Sequence, residues 1–295
     1  DYVLRSKPPG KLLNSAHAVE REFRVMGALA GSQVPVPAVF HLCEDLDVIG
    51  SVFFIMSYEN GSIFWDPALP ELKTHERVSL YQDEIRVLAA LHSLDPSRIG
   101  LSGFGRPGNY FERQIKRWTD QYRARETRSI EAMESLMQWL SQEMPDDDEQ
   151  SALIHGDYRL DNLIMTPDNT RIQAVIDWEL STLGHPLADL AYFCMCLRMP
   201  HHEQIRGLAG VKRSTLGIPP EADMIRQYCA LRDIPPISHW PFYLAFSFFR
   251  LAAICQGVLK RALEGNASSE QAHQVGALTP LLAELGLDIA MNGEE

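Results

Sequence analysis

The chain has 295 residues, is 45% hydrophobic and 22% charged, and carries a net charge of -12. That is enough chain for a sizeable core in one large domain or two lobes. It is too acidic for nonspecific binding to nucleic acid or an anionic bilayer, which needs basic surface. The cysteines (Cys43, Cys194, Cys196, Cys229 and Cys255) lack paired metal spacing, so free thiols in a reducing cytosol are expected. No apolar run reads as long enough to span a bilayer and no signal peptide is visible, so a cytoplasmic protein is expected. Asp1 already lies in a strand-like run, which places the expected natural start upstream of it.

In chain order, residues 2–7 read as a strand ended by Pro8-Pro9-Gly10, with Val3, Arg5 and Lys7 on one face. Ser15 suits the N-cap of a helix running to about residue 30. Its apolar stripe is Ala18, Val19, Phe23, Met26 and Leu29, and Glu22 lies inside that stripe. A carboxylate facing a core requires a cation, and Arg5 is the candidate; the alternative is an ordinary surface glutamate. Val34-Pro35-Val36-Pro37 is a rigid connector to a strand at about 38–44, a turn at 45–50 and an apolar strand at 51–58.

Helical spacing recurs over 72–92, 109–125, 130–144, 221–231, 241–264 and 268–285. The 109–125 helix carries Tyr110, Gln114, Trp118 and Tyr122 along one side, an arrangement more often core than ligand site. Arg113 and Arg117 give the same helix a cationic edge suited to an acidic acceptor. Residues 146–149 read as a solvated acidic loop, and His201-His202 as solvent-facing. Arg250, on an otherwise apolar helix, reads as a snorkelling surface arginine, with an anion contact as the alternative.

The chemically informative stretch is IHGDYRLDNLIMTPDNTRIQAVIDWE, residues 154–179. Pro167-Asp168-Asn169 is turn chemistry between two strand-like runs, so the segment predicts an antiparallel hairpin. That fold brings Asn162 and Asp177 to one open end, with Asp157 on the loop just upstream. Mg²⁺ takes hard oxygen donors and usually only one or two carboxylates from protein, a need Asn162 and Asp177 meet. Asp157 is then left to accept the proton of an attacking hydroxyl, as phosphoryl transfer requires. A surface hairpin with polar ends is the plain alternative.

His155-Gly156-Asp157 through Asn162, then Ile176-Asp177-Trp178, resembles the aminoglycoside phosphotransferase and choline kinase superfamily, relatives of protein kinases. Val3-Leu4-Arg5, Phe64-Trp65-Asp66-Pro67, Asn109-Tyr110-Phe111 and the run from Trp178 to Tyr192 look more like the phosphotransferase domain associated with acyl-CoA dehydrogenases. The resemblance implies a two-lobed, protein-kinase-like α+β fold, with a small β-rich N-lobe at 1–59, truncated at its start, and a large helical C-lobe at 60–295. It implies ATP and Mg²⁺ as cofactors, with Arg5 holding phosphates against Glu22 and Lys7 as the fallback. Met56, Ser57 and Tyr58 would be the hinge that meets adenine, and His155 and Asp189 would brace the catalytic loop. The Gly-rich loop of kinases would precede Tyr2.

The implied activity is transfer of the γ-phosphoryl group of ATP to a small-molecule hydroxyl, such as a hydroxyacyl group or its CoA ester. Tyr110, Arg113, Trp118 and Glu179 are the first places to look for acceptor contacts. An acyl-CoA dehydrogenase acting in the same route is an implied partner. An aminoglycoside or other amino-alcohol is the alternative acceptor. A silent nucleotide-binding or scaffold module is the alternative function.

Overall fold

The computed structural model describes residues 1–7, 18–201, 206–265 and 271–293. In chain order the elements are β1 (Tyr2–Ser6), α1 (Val19–Leu29), β2 (Val39–Cys43), α2 (Leu46–Ile49), β3 (Phe53–Ser57) and α3 (Thr74–His92). Next come α4 (Tyr110–Arg125), α5 (Glu131–Gln142), β4 (Ala152–Ile154), β5 (Leu163–Met165), β6 (Ile172–Val175) and β7 (Thr182–Gly184). The chain closes with α6 (Leu187–Met195), α7 (Arg213–Leu216), α8 (Glu221–Arg232), α9 (Trp240–Leu263), α10 (Ala272–Gly276) and α11 (Thr279–Asn292). Pro8-Pro9-Gly10, the Ser15 cap, His202 and Ser268 lie outside the described residues.

The chain divides into two compact units. The first comprises Asp1–Arg106, Ser151–Asp189 and Lys212–Pro236. Its three-stranded antiparallel sheet has the order β1-β3-β2. Arg5 stands opposite Phe54, and Met56 lies between Val3 and Val39. Helix α1 packs on this sheet through Val19, Glu22, Val25, Met26 and Leu29. The turn after β2 is a single helical turn, α2, capped by Asp45, whose Oδ1 accepts from the Asp47 amide at 2.9 Å.

The β5–β6 hairpin forms as the turn chemistry predicts, with Leu163 opposite Val175. Helix α3 anchors it: the Asp83 carboxylate accepts the Ile172 amide at 2.7 Å, and the Tyr158 hydroxyl donates to the Glu84 carbonyl at 2.8 Å.

The second unit comprises Pro107–Gln150, Leu190–Val211 and Ile237–Glu295. Helix α9 is its spine and packs on α4, α5, α10 and α11. Phe111 packs edge-on or tilted against Phe242, Tyr243 and Phe246 at 5.1–5.4 Å between centroids, and Tyr110 and Tyr122 of the same helix are buried, whereas Gln114 and Trp118 are half-buried. By length and composition α9 could cross a bilayer, contrary to the expectation that no run could; 72% of that window is buried inside the protein, which makes it a core helix.

The helix expected over 268–285 is instead α10 followed by α11. Pro280 explains the break: it has no amide to donate, and it sits in the first turn of α11, where none is needed. Arg250 overturns the snorkelling expectation. It is 9% exposed, and its guanidinium lies over the rings of Tyr192 at 5.2 Å and Trp118 at 5.8 Å.

Candidate active site

The hairpin builds the centre of the site. Asn162 ends a single 3₁₀ turn (Leu160–Asn162) just before β5, and its carbonyl accepts the Ile176 amide at 3.0 Å. That bond places Asn162 beside the residue preceding Asp177. The Asn162 side-chain amide donates to the Asp157 carbonyl at 2.9 Å and to Asp157 Oδ2 at 3.0 Å. Both donors of Nδ2 are thereby used, and Oδ1 remains an acceptor. Asp177 has left-handed backbone (φ 63°), an uncommon conformation for a residue with a side chain. Asn162 and Asp177 line one cavity of about 390 Å³, together with Arg5, Glu22 and the Met56–Tyr58 stretch of the sheet. Asp157 stands one hydrogen bond behind it, with Arg159 Nε 3.8 Å from its Oδ2.

Arg5 enters the cavity from β1. Its Nη2 lies 3.0 Å from Asp177 Oδ1, 3.2 Å from Glu22 Oε1 and 3.9 Å from Glu179 Oε2. Lys7 instead pairs with Glu20 at 2.7 Å, away from that cluster. Oxygens of Glu22, Asp177 and Glu179 all lie within 4.8 Å of one another, and the Arg5 guanidinium provides their counter-charge. Burial pushes the Glu22 carboxyl up to about 7; Arg5 pulls it down, while Asp177 and Glu179 push it further up. For Arg5, burial works against the charge, but Glu22, Asp177 and Glu179 outweigh it and raise the guanidinium further above its usual range.

A measurable pH dependence follows. Because the Glu22 value is raised on folding from 4.5 to about 7, folded protein holds a proton that unfolded protein has lost. Stability of nucleotide-free protein therefore falls as pH rises through that window. Glu22→Gln should flatten the slope of melting temperature against pH between those values; an unchanged slope would assign it to another group.

The loop that carries Asp157 is held from beneath. Asp189, at the start of α6, accepts the His155 amide at 2.6 Å and the Gly156 amide at 2.9 Å, and it is 1% exposed. Burial raises its carboxyl, but hydrogen bonds from the His92 side chain and the His155 amide work against that, and it is held below the usual range. His155 Nε2 faces the Ile176 carbonyl at 2.9 Å, and its Nδ1 accepts the Asp157 amide at 3.2 Å. Its ring thus ties the loop to the hairpin while packing on Trp178 at 4.7 Å.

Gly156 has φ 83°, and a Cβ there would stand 2.6 Å from the Leu180 carbonyl oxygen. Gly156→Ala should cost about 2–3 kcal/mol in urea unfolding, from left-handed backbone plus a contact with rigid main chain. A loss below the usual scatter of surface substitutions would mean that the loop relaxes freely.

At the sheet end, the Ser57 amide donates to the Ala38 carbonyl at 2.8 Å, and the Tyr58 amide to the Asp1 carbonyl at 3.3 Å. Ser57 Oγ accepts the Ala38 amide at 2.9 Å and donates to Glu59. Glu59 also takes the Gln173 side-chain amide at 2.9 Å and lines the cavity. Nothing in the sequence marks Glu59, since its partner is 114 residues away. His92 was legible only as a polar residue on the buried stripe of α3, four positions after Leu88.

Of the four residues suggested for acceptor contacts, Glu179 belongs to the Arg5 cluster. Tyr110, Arg113 and Trp118 lie on α4 in the second unit. There Tyr110 is buried, the Arg113 Nη1 donates to the Pro107 carbonyl at 3.5 Å, and Trp118 lies beneath Arg117 and Arg250.

The sequence profile of the APH phosphotransferase enzyme family matches residues 1–224. The chain belongs to this family. As an APH phosphotransferase it is an enzyme of the kinase type with a two-lobed, kinase-like α+β fold. It is 51% identical over 289 residues to acyl-CoA dehydrogenase family member 10 of Mus musculus, an alignment covering 98% of this chain and 27% of the mouse protein. The chain therefore spans about a quarter of the length of that relative.

A crystal structure of an aminoglycoside phosphotransferase-like protein from Ralstonia eutropha JMP134 superposes with TM-score 0.92 at 47% identity, covering 100% of this chain and 87% of that one. A thermostable mutant of aminoglycoside phosphotransferase APH(4)-Ia, in ternary complex with AMP-PNP and hygromycin B, shares the fold at TM-score 0.65 and 17% identity. That match covers 99% of this chain and 88% of the other.

Proposed function

We propose that this APH phosphotransferase moves the γ-phosphoryl group of ATP to a hydroxyl of a small molecule, with a hydroxyacyl group or its CoA ester as the acceptor class. The observation that carries the reading is the single cavity lined by Arg5, Asn162 and Asp177, with Asp157 one hydrogen bond away. Nucleotide as donor is supported by the AMP-PNP held by the APH(4)-Ia structure of like fold. The acyl class is supported by the 51% identity to part of an acyl-CoA dehydrogenase family member. An acyl-CoA dehydrogenase is accordingly the proposed partner in the route. Cytoplasmic residence belongs to the same reading.

In this reading residues 1–59 form the nucleotide lobe and residues 60–295 the lobe carrying the catalytic loop. Arg5, oriented by Glu22, holds phosphate oxygens through a permanently charged fork. Met56, Ser57 and Tyr58 border the adenine end. The donor set fits Mg²⁺: the Asn162 amide oxygen and the Asp177 carboxylate are hard oxygen ligands, and both line the cavity. When bound, Mg²⁺ neutralises phosphate charge. Asp157 accepts the hydroxyl proton as the acceptor oxygen bonds to the γ phosphorus and the bridging P–O bond to ADP breaks. His155 and Asp189 hold the loop that carries Asp157. Glu179, beside Arg5, is retained as an acceptor contact.

The rival reading is a silent nucleotide-binding or scaffold module, and a thermal-shift titration followed by a turnover assay separates the two. ATP with Mg²⁺ should raise the melting temperature, and hydroxyacyl-CoA esters should then accelerate ADP formation above the rate with water alone. Stabilisation without ADP formation from any hydroxy acid, CoA ester or amino-alcohol would favour the silent module. An amino-alcohol as the sole accelerating class would transfer the acceptor assignment to it.

A further inference from the structure

Behind the catalytic loop lies a buried polar chain that none of the motif residues predicts. Its members come from three separate stretches of the first unit: His92 at the end of α3, Asp189, and Tyr228 with Arg232 on α8. The Arg232 Nη1 donates to the Tyr228 hydroxyl oxygen at 3.0 Å. The Tyr228 oxygen lies 2.6 Å from His92 Nδ1, and His92 Nε2 lies 3.4 Å from Asp189 Oδ2. Tyr228 is 0% and His92 2% exposed, so no water shell substitutes for these partners.

The hydrogens can be ordered in one way. Burial pulls the imidazole of His92 below its usual range, although Asp189 works in the opposite sense, so the ring is neutral and has one N–H. An arginine can only donate, so the Tyr228 oxygen accepts from it and sends its own hydrogen to His92 Nδ1. That leaves the ring hydrogen on Nε2, where it points to the Asp189 carboxylate. The opposite tautomer would set a lone pair against that carboxylate and orphan the phenol hydrogen. Every link therefore runs in one direction, from Arg232 to Asp189, and Asp189 then takes the amides of His155 and Gly156. Tyr228 and Arg232 both lie beyond residue 224, where the match to the family profile ends.

We propose that His92 and Tyr228 are positioning residues for phosphoryl transfer: through Asp189 they fix the backbone of His155 and Gly156, and with it the placement of Asp157. The effect on turnover rests on the reading of Asp157 given under Proposed function. The effect on the loop does not, and the two are measured separately.

Tyr228→Phe is the deciding variant, because it deletes one hydroxyl and keeps the ring that fills the core. Amide hydrogen exchange at His155 and Gly156 should speed up about fivefold, the scale of one net hydrogen bond. The kcat for ADP formation from ATP with Mg²⁺, water serving as acceptor, should fall by about the same factor, with KM for ATP unchanged. His92→Phe should lower kcat further. The double variant should be no slower than His92→Phe alone, since both act through one link.

Wild-type exchange in Tyr228→Phe would overturn the brace. Faster exchange with unchanged kcat would overturn the positioning role in phosphoryl transfer, as would losses in the double variant that simply multiply. Asp157→Asn is assayed alongside. Full ADP formation in that variant would remove Asp157 as the base, and the exchange measurement would still decide the brace by itself.

Discussion

Asp157→Asn is expected to lower turnover at least ~100-fold, the usual scale for losing a positioned base, while nucleotide affinity stays within about threefold. The substitution preserves shape, and an amide can still face the Asn162 side chain that now donates to Asp157 at 3.0 Å. What it removes is the capacity to take a proton as the acceptor oxygen bonds to phosphorus. Affinity is spared because Asp157 does not line the cavity in which Arg5, Asn162 and Asp177 meet. Calorimetric titration with a nonhydrolysable nucleotide and an ADP-release assay test the two halves separately. Wild-type turnover would exclude Asp157 from the chemistry, and lost binding would place it among the nucleotide contacts instead.

Asp189→Asn is expected to destabilise the protein by about 3–5 kcal/mol, because it keeps one acceptor oxygen and turns a donor toward the other of two buried amides that each need an acceptor. The His155 and Gly156 amides now share its two oxygens at 2.6 and 2.9 Å, with His92 as a third partner. Urea unfolding measures the loss, and a change below about 1 kcal/mol would mean the loop finds other acceptors.

Acid titration gives a second signature. The folded Asp189 carboxyl is held below its ordinary value, so its contribution is present above the unfolded value of about 4 and is lost as pH falls through the lower folded one. The variant should lack that acid segment of the stability curve. If both proteins lose stability identically in acid, other carboxylates carry the effect.

The residues that the sequence expected together and the structure brings together share one property: their neighbours are close along the chain. Asn162 follows Asp157 by five positions, and a hairpin of one turn brings Asp177 back to it. Turn chemistry and strand alternation decide that geometry before any tertiary contact forms. The Arg5–Glu22 pair, 17 residues apart, was legible because a carboxylate inside an apolar stripe must find a cation. Boundaries shifted where a residue overrode the period, as Pro280 does between α10 and α11.

Other contacts had no such marker. Arg5 also reaches Asp177, 172 positions away, so the same guanidinium answers both the helix glutamate and the hairpin aspartate. Arg250 had the pattern of a surface arginine because composition alone cannot say that Tyr192 and Trp118 provide rings for it.

By itself, then, the sequence determined the hairpin, the loop ahead of it and the residue types suited to phosphoryl transfer, because local torsions and hydrophobic period are enough for those. Only the tertiary structure decided that Arg5 also stands beside Asp177 and Glu179, and that Asp189 is braced through His92 by Tyr228, 136 residues beyond His92. Such pairings depend on burial and on donor and acceptor directions in three dimensions, and neither leaves a period or a spacing in the linear chain.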